Sequence, residues 1–425
     1  MGRDAFVHAA DLHLDTPFEG VGQRHPDLAA LLRDASLAAF DRLVEFTLAR
    51  DAAFLVLAGD LYDGAERGLR AQLRLRDGLA RLSDAGVPTF LVHGNHDPVE
   101  EGWSAIRSWP ERVTVFGSDE VGTARVEVDG EPLATVYGIS YPRRAVTENL
   151  ARRFQRVDAP GLHVGVLHAT VGAQPEHAPY SPCSLEDLRA VGLDYWALGH
   201  IHRRQILHRG DPWVVYSGNT QGRSPKPSEQ GAKGALVVPL ERTPRGAGVA
   251  EPEFVALDTV RFEEVTVDVA EADDLAAVAD DLVAAAERLA AQAEGRALIL
   301  RGRLIGRGRV HADLARGGAR TGLLEGLRDE ASTHTPVRWW DRLIDGTRPA
   351  LDRDALRARP DVTGEVLRLV DRVRADPDAL ARLGSAAADL RAELERLGGQ
   401  PAVLTDLLDD AEALALDALD DPERR

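Results

Sequence analysis

The sequence predicts an α/β fold over residues 1–260, a small α+β unit over 261–350 and a helical region over 351–425. Three observations carry this. Short β-rich apolar runs alternate with longer helical ones up to about Leu240. Each of those apolar runs ends in a polar loop, the place where ligands gather in an open α/β sheet. The alternation then changes, first to a strand, helix, strand, helix order and finally to helices alone.

In chain order, "AFVHAAD" reads as the first strand and "LAALLRDASLAAFDRLVEFTLAR" as the helix after it. "AAFLVLAGD", "GLRAQLRLRDGLARLSDAG" and "PTFLVHGNHD" repeat strand, helix and strand, and "TVYGIS", "LHVGVLHAT", "YWALGHIH" and "WVVYSGN" add strands with fewer long helices between them. Near Arg261 a second unit begins. Its "FEEVTVDV" is a strand, "ADDLAAVADDLVAAAERLAAQ" is a helix with Leu275, Val278, Leu282 and Leu289 on one face, and "RALILRGRLIGRGRV" is a strand again, with the unit ending around Pro349. From about Val362, "EVLRLVDRVRA", "DALARLGSAAADLRAELERLG" and "PAVLTDLLDDAEALALDAL" are helices separated by Asp-Pro and Gly-Gly-Gln-Pro breaks.

Composition narrows the class. At 425 residues the chain is long enough for two or three domains, and 44% apolar with 28% charged residues reads as soluble and globular. No apolar run reaches the roughly 20 residues a membrane span needs, and no basic-then-apolar secretory pattern opens the chain, so a cytoplasmic protein off the membrane is expected. The lone Cys183 rules out an intramolecular disulfide framework and leaves His, Asp and Asn as metal ligands. A net charge of −18 argues against binding nucleic acid by bulk electrostatics. Much of that acid lies in "TDLLDDAEALALDALDDPE", so a local basic groove stays compatible with it.

Five loops hold the chemistry: Asp11-Leu12-His13, Gly59-Asp60, Gly94-Asn95-His96-Asp97, His168, and Gly199-His200-Ile201-His202. A single Asp or His at a strand end is ordinarily a turn former or cap. Carboxylate, amide and imidazole groups recurring after successive strands point instead to metal. Two adjacent divalent cations need a bridging carboxylate, and hard ions such as Mn²⁺ suit mixed oxygen and imidazole donors. Asp60 is the natural bridge, because it follows the buried run "AFLVLAG" and Gly59 lets the backbone come close. Asn95 offers a neutral oxygen, and His200 and His202, two apart on an extended segment, would reach adjacent ions from one side. His8, His93 and His163 read as packed or hydrogen-bonded residues, and Asp97 as either a ligand support or a turn former.

This ordered set resembles the calcineurin-like metallophosphoesterase superfamily, whose blocks run approximately D-x-H, G-D, G-N-H-[DE], H and G-H-x-H. The resemblance covers residues 6 to about 240 and implies a four-layer β-sandwich flanked by helices. It implies two metal ions, one held by Asp11, His13, Asp60 and His202, the other by Asp60, Asn95, His168 and His200. It further implies that His96 is the catalytic histidine that protonates the leaving oxygen, with Asp63 as the carboxylate that orients it.

The ligand set does not choose the phosphoester. The Asp-Arg-Gly that protein phosphatases carry after the second block is missing from "GDLYDGAERG". The opening "HAADLHLDTPF", the loop "SGNTQGRSPKPSEQGAKG" and the added C-terminal units resemble the SbcD/YhaO group of bacterial DNA-repair exonucleases. That resemblance implies DNA as substrate, a capping domain at 261–350, and a helical tail that engages a coiled-coil, SMC-like ATPase. Arg223, Lys226 and Lys233 in that loop, and Arg143 and Arg144, are candidate DNA-backbone contacts or else a solvated basic surface, as are Arg301 and Arg303. The tail's apolar row of Leu404, Leu407, Leu408, Ala411 and Leu414 suits a partner helix, an intramolecular bundle or a homodimer contact. A phosphoesterase acting on nucleotides or phosphoproteins and a non-catalytic scaffold of a repair complex are the competing functions.

Overall fold

The computed structural model describes residues 3–15, 26–63, 68–100, 103–174, 178–243, 246–331 and 337–376, with isolated positions beyond. It divides into two units, one of Met1–Val267, Leu275–Ile305 and Arg316–Gly346, the other of Asp268–Asp274, Gly306–Ala315 and Thr347–Arg425.

The first unit opens with β1 (Ala5–Ala9), α1 (Pro26–Ala49), β2 (Leu55–Ala58), α2 (Leu69–Asp84), β3 (Thr89–Val92) and β4 (Val113–Val115). It continues with β5 (Gly122–Val128), β6 (Glu131–Gly138), β7 (Leu162–His168), α3 (Leu185–Ala190), β8 (Tyr195–Gly199), β9 (Gln205–His208) and β10 (Trp213–Tyr216). Next come β11 (Gly234–Thr243), β12 (Gly246–Val249) and β13 (Glu253–Ala256). One sheet has the order β12-β11-β1-β2-β3-β4, with β13 also on β11; the other has the order β5-β6-β7-β8-β10-β9.

Strands β1 to β4 are parallel, as are β6, β7, β8 and β10, while β11 runs antiparallel beside β1. The inner strands β1, β2, β3, β7, β8 and β10 are buried along their whole length, which is why they read as nearly continuous apolar runs. Between the two sheets Phe6, Phe54, Val56 and Val92 meet Val136, Val164, Tyr195 and Val215. On the outer face of the first sheet lie Phe40 and Leu43 of α1 with Leu75 and Leu79 of α2. On that of the second, Tyr137, Leu167 and Trp196 pack against Leu150, Phe154 and Leu188. The result is the expected four layers, two sheets between two helical layers. It places the carboxyl ends of β1, β2 and β3 next to those of β7 and β8. His168, which ends β7, bonds through Nδ1 to the carbonyl of Ala58, which ends β2, at 3.0 Å.

A smaller sheet follows in the same unit. β14 (Val260–Asp268), α4 (Leu275–Gln292) and β15 (Ala297–Ile305) match the anticipated strand, helix and strand. Val260, Phe262 and Ile299 share an apolar cluster with Leu28, Leu32 and Ala35 of α1. In the second unit β16 (Arg307–Gly308) and α5 (His311–Leu314) come next, before the first unit resumes with α6 (Ala319–Ala331) and β17 (Val337–Asp345), which pairs parallel with β15. Strand β17 is absent from the sequence reading. Its buried Trp340 and Leu343 stand three apart, a spacing that a helix also produces.

The second unit adds β18 (Arg348–Pro349), parallel to β16, then α7 (Arg353–Arg357) and α8 (Val362–Ala375). Helix α8 begins at Asp361, whose carboxylate accepts from Gly364 N, and it buries Leu367, Val370 and Val373 on one stripe. Leu404, Leu407 and Leu414 of the tail row, and residues 16–20 ("TPFEG"), lie outside the described residues. Among the described residues no helix is long and apolar enough to cross a membrane.

Candidate metal centre

All five loops are carboxyl-terminal extensions of neighbouring strands, so the topology alone gathers them. Asp11 N donates to Gly59 O and His13 N to Asp60 O, both at 3.0 Å, which ties the loop after β1 to the loop after β2. The backbone there is unusual. Asp11, His13, Asp60 and His200 have φ of 52°, 43°, 50° and 100°, in the left-handed region that non-glycine residues avoid at roughly 1–3 kcal/mol each. Strain on four donor residues in one place is a mark of a built site. Gly94 is needed for a different reason. A Cβ there would overlap Asp60 Oδ1 and lie 2.8 Å from His168 Cε1 and Nε2. Gly59, at φ 92°, has the His168 ring in the same position.

Three overlapping donor groups emerge; one is His13, Asp63 and His96, and the other two gather the residues expected to hold ions. Asp11, His13 and His202 offer atoms within 4.8 Å of one another, and so do Asp11, Asp60 and His168. His13 Nε2 and His202 Nε2 are 3.0 Å apart, and His13 Nε2 is 3.8 Å from Asp60 Oδ2. In the other group His168 Nε2 stands 2.9 Å from Asn95 Oδ1 and 3.4 Å from Asp60 Oδ2. The donors are carboxylate, amide and imidazole with no thiolate, which suits divalent ions such as Mn²⁺ or Zn²⁺ rather than soft metals. They thus fit a two-ion centre, with Asp11 present in both groups and Asp60 reaching toward both. His200 differs from its expected geometry. It lies in a bend after β8 rather than on an extended segment; its ring packs 5.2 Å from that of His168, and Nε2 bonds Ala178 O at 3.1 Å. Its backbone N–H donates to Asp11 Oδ1 at 3.0 Å and so orients that carboxylate.

Electrostatics agree with donor roles for His13 and Asp60, while at His168 burial is outweighed by the charges of Asp60 and Asp11, which raise it to about 9. Burial drives His13 well below its ordinary pKa, aided by the charges of Arg223 and His202, and so keeps it as the neutral ligand form. For Asp60, burial opposes ionisation, but the charge and hydrogen bond of His168, with His13 and His96, hold it well below the usual carboxylate range. Burial pushes Asp11 up to about 6.

Beside these groups His96 Nδ1 bonds Asp63 Oδ1 at 2.5 Å, and Arg223 grips the other oxygen of Asp63. Burial pulls the His96 pKa down, yet the Asp63 bond and the charges of Asp60 and Asp63 outweigh it and the net shift is upward. His96 is therefore poised to carry a proton. Its backbone N–H donates to Asp60 Oδ1 at 2.9 Å, which fixes His96 against the candidate ligands.

The basic candidates separate. Lys226, Arg143 and Arg144 are exposed. Arg223 is turned inward to Asp63. Lys233 is corrected from a DNA contact to a structural residue: it is 6% exposed, and its ammonium donates to His202 O at 2.9 Å and Ser228 O at 2.6 Å. Arg301 and Arg303 are paired with Asp341 and Glu264 at 2.7 and 2.6 Å. His8 is fully buried and bonds Tyr195 Oη at 3.0 Å, and His163 bonds Tyr137 Oη at 2.7 Å. Asp97 is a support: its carboxylate accepts from Gly94 N, Leu61 N and His93 Nδ1 at 2.8, 3.1 and 2.9 Å. Glu229, which the sequence reading passed over, lies 7% exposed with one oxygen 2.6 Å from His202 Nδ1. Its place in a Pro- and Gly-rich loop gave no local signal.

Comparison with known proteins follows the same division. Residues 5–204 match the calcineurin-like phosphoesterase family, and residues 262–348 match the YhaO metallophosphoesterase middle domain. The metallophosphoesterase YhaO of Bacillus subtilis is 39% identical over 274 residues, 64% of this chain and 65% of that protein. The DNA double-strand break repair protein Mre11 of Haloferax volcanii is 28% identical over 64% of this chain and 56% of its own length. That of Aeropyrum pernix is 27% identical over 50% and 52%. The matches therefore span less than two thirds of each of these relatives. With strand-end donors gathered into adjacent groups, residues 5–204 belong to the calcineurin-like phosphoesterases, and residues 262–348 are similar to the YhaO middle domain.

Proposed function

We propose that the chain is a metal-dependent hydrolase of DNA phosphodiester bonds, an exonuclease with endonuclease activity at hairpins, serving DNA repair in the cytoplasm. The observation that carries this is the pair of donor groups set against the His96–Asp63 pair. Asp11, His13, Asp60 and His202 would hold one divalent ion and Asp60, Asn95, His168 and His200 the other, with Mn²⁺ the ion their chemistry favours. When bound, such ions supply Lewis-acid polarisation of the phosphoryl oxygens and neutralise charge developing on them.

The chain's own groups do the rest. Asp63 takes the Nδ1 side of His96 and so leaves Nε2 to present a proton to the departing oxygen. Arg223 keeps Asp63 in that orientation through a charge-assisted bond. Asp11, itself aligned by His200 N–H, keeps the two donor groups in one fixed relation.

DNA as the substrate is supported by the similarity to the archaeal DNA double-strand break repair proteins and by exposed Lys226, Arg143 and Arg144. Residues 1–260 would form the nuclease domain, 261–350 a cap that selects and orients DNA, and 351–425 the region that engages an SMC-like coiled-coil ATPase or a second copy of the chain. A nucleotide or phosphoprotein phosphoesterase is the second reading, favoured by the net charge of −18. The test is Mn²⁺-loaded protein on end-labelled duplex, single-stranded and closed-hairpin DNA, run beside p-nitrophenyl phosphate esters. Turnover of the small esters with no cutting of any DNA would refute the nuclease reading.

A further inference from the structure

We propose that the buried carboxylate of Glu229 positions His202, setting which ring nitrogen faces the donor group, and couples that ligand to the Asp63–His96 pair through Arg223. The inference rests on the metal centre proposed above, not on its substrate.

The geometry begins with two oxygens that face different ways. Glu229 Oε1 lies 2.6 Å from His202 Nδ1. A carboxylate can only accept, so Nδ1 carries a proton, and in the neutral ring the lone pair is then on Nε2. Nε2 is the atom directed at His13, 3.0 Å from its Nε2, inside the group formed with Asp11. Glu229 Oε2 accepts from Asn219 Nδ2 at 2.7 Å and from Arg223 N at 3.1 Å. Those two bonds stop the carboxylate from rotating. Asn219 is itself held, since its Nδ2 also donates to Gln221 O at 2.8 Å.

The same loop grips His202 from behind. Lys233 Nζ donates to His202 O at 2.9 Å and Asn219 N to the same oxygen at 3.3 Å. Both backbone and ring of this ligand are thus set by residues 219–233, none of which is itself a donor to either group. Arg223 then carries the arrangement across the site. Its backbone N–H is on Glu229 and its guanidinium on Asp63, the partner of His96. One carboxylate therefore spans the two functional parts of the centre. Ligand histidines commonly depend on a partner at the second nitrogen, whose loss lowers metal affinity about 10- to 100-fold.

Glu229→Gln is the direct variant, because an amide keeps size and shape but cannot accept on both sides. Either its NH₂ faces the donors Asn219 and Arg223, or it faces His202 and forces the proton to Nε2. Calorimetric titration with Mn²⁺ alone should show one of two sites weakened about 10- to 100-fold in Glu229→Gln, while Glu120→Gln, an exposed change of the same chemistry, stays at wild type. ¹⁵N-resolved NMR of the histidine rings in the metal-free wild-type protein should report His202 as the Nδ1–H form. That measurement needs no variant to fold. Arg223→Met should lower kcat on bis-p-nitrophenyl phosphate at saturating Mn²⁺ with Mn²⁺ affinity kept, whereas Glu229→Gln should lower both. An Nε2–H form of His202 in wild type, or wild-type Mn²⁺ affinity at both sites in a folded Glu229→Gln, overturns the proposal. Because Mn²⁺ titration and NMR use no substrate, a protein that cuts no DNA would refute the proposed function and leave these two results standing.

Discussion

Asp97→Ala should be among the most damaging single changes outside the ligands themselves. The carboxylate is fully buried and accepts three hydrogen bonds, from Gly94 N at 2.8 Å, Leu61 N at 3.1 Å and His93 Nδ1 at 2.9 Å. Removing it strands two backbone donors and a buried ring nitrogen, at roughly 1–3 kcal/mol each. Allowing for partial rescue by water, the loss of folding stability should be about 3–6 kcal/mol, at the far end of single-site effects. Asp97→Asn keeps one accepting oxygen and should lose about 1–3 kcal/mol. Function should follow stability, because Leu61 and Gly94 flank Asp60 and Asn95. Once Asp97 lets go, the loops after β2 and β3 are no longer joined, and Mn²⁺ affinity should fall in both variants. Urea unfolding of the metal-free proteins measures the first effect and calorimetric Mn²⁺ titration the second. A loss below about 1 kcal/mol in Asp97→Ala with wild-type Mn²⁺ affinity would show that the support role is wrong.

His96→Asn should lower kcat by about 10²–10⁴ while Mn²⁺ binding persists, as expected of a proton donor that is no ligand; lost Mn²⁺ binding would argue against that assignment. Gly94→Ala should abolish Mn²⁺ binding at one site at least, because the added methyl group would overlap Asp60 Oδ1 and crowd His168, and a titration curve like that of wild type would contradict it. His8 gives an acid-stability prediction. Burial lowers its folded pKa from 6.5 to about 3, so the unfolded chain takes up this proton first as pH falls. Its share of stability is complete above pH 6.5 and is lost toward pH 3, at about 1.4 kcal/mol per pH unit. His8→Gln should therefore show a shallower loss of stability between pH 6 and 4 than wild type, on the order of 2 kcal/mol over that range, and parallel curves would exclude the effect.

Much of this centre is legible in the linear chain, for a physical reason. In a sheet of this kind the donors sit just past strand ends, so each appears as a polar residue directly after an apolar run, and "LVLAGD" or "YWALGHIH" announces itself locally. Glycines before Asp60, Asn95 and His200 are legible on the same terms, since close packing at strand ends excludes a Cβ. The basic loop is not. Arg223, Lys226 and Lys233 look alike as charges in a Pro- and Gly-rich segment, yet the first holds Asp63, the second is exposed and the third is buried under His202.

What the sequence determined by itself was the set of short-range patterns: strands that alternate with helices, and ligand types at their ends. Only the tertiary structure decided which candidate donors lie together, that Asp11 lies near both His202 and His168, that His200 turns one nitrogen to Ala178, and that Glu229 and Asp97 brace the candidate ligand loops. The difference lies in the range of the forces. Apolar periodicity and turn chemistry act within a few residues, whereas a hydrogen bond between residues 27 or 36 positions apart exists only once the fold has brought their loops together.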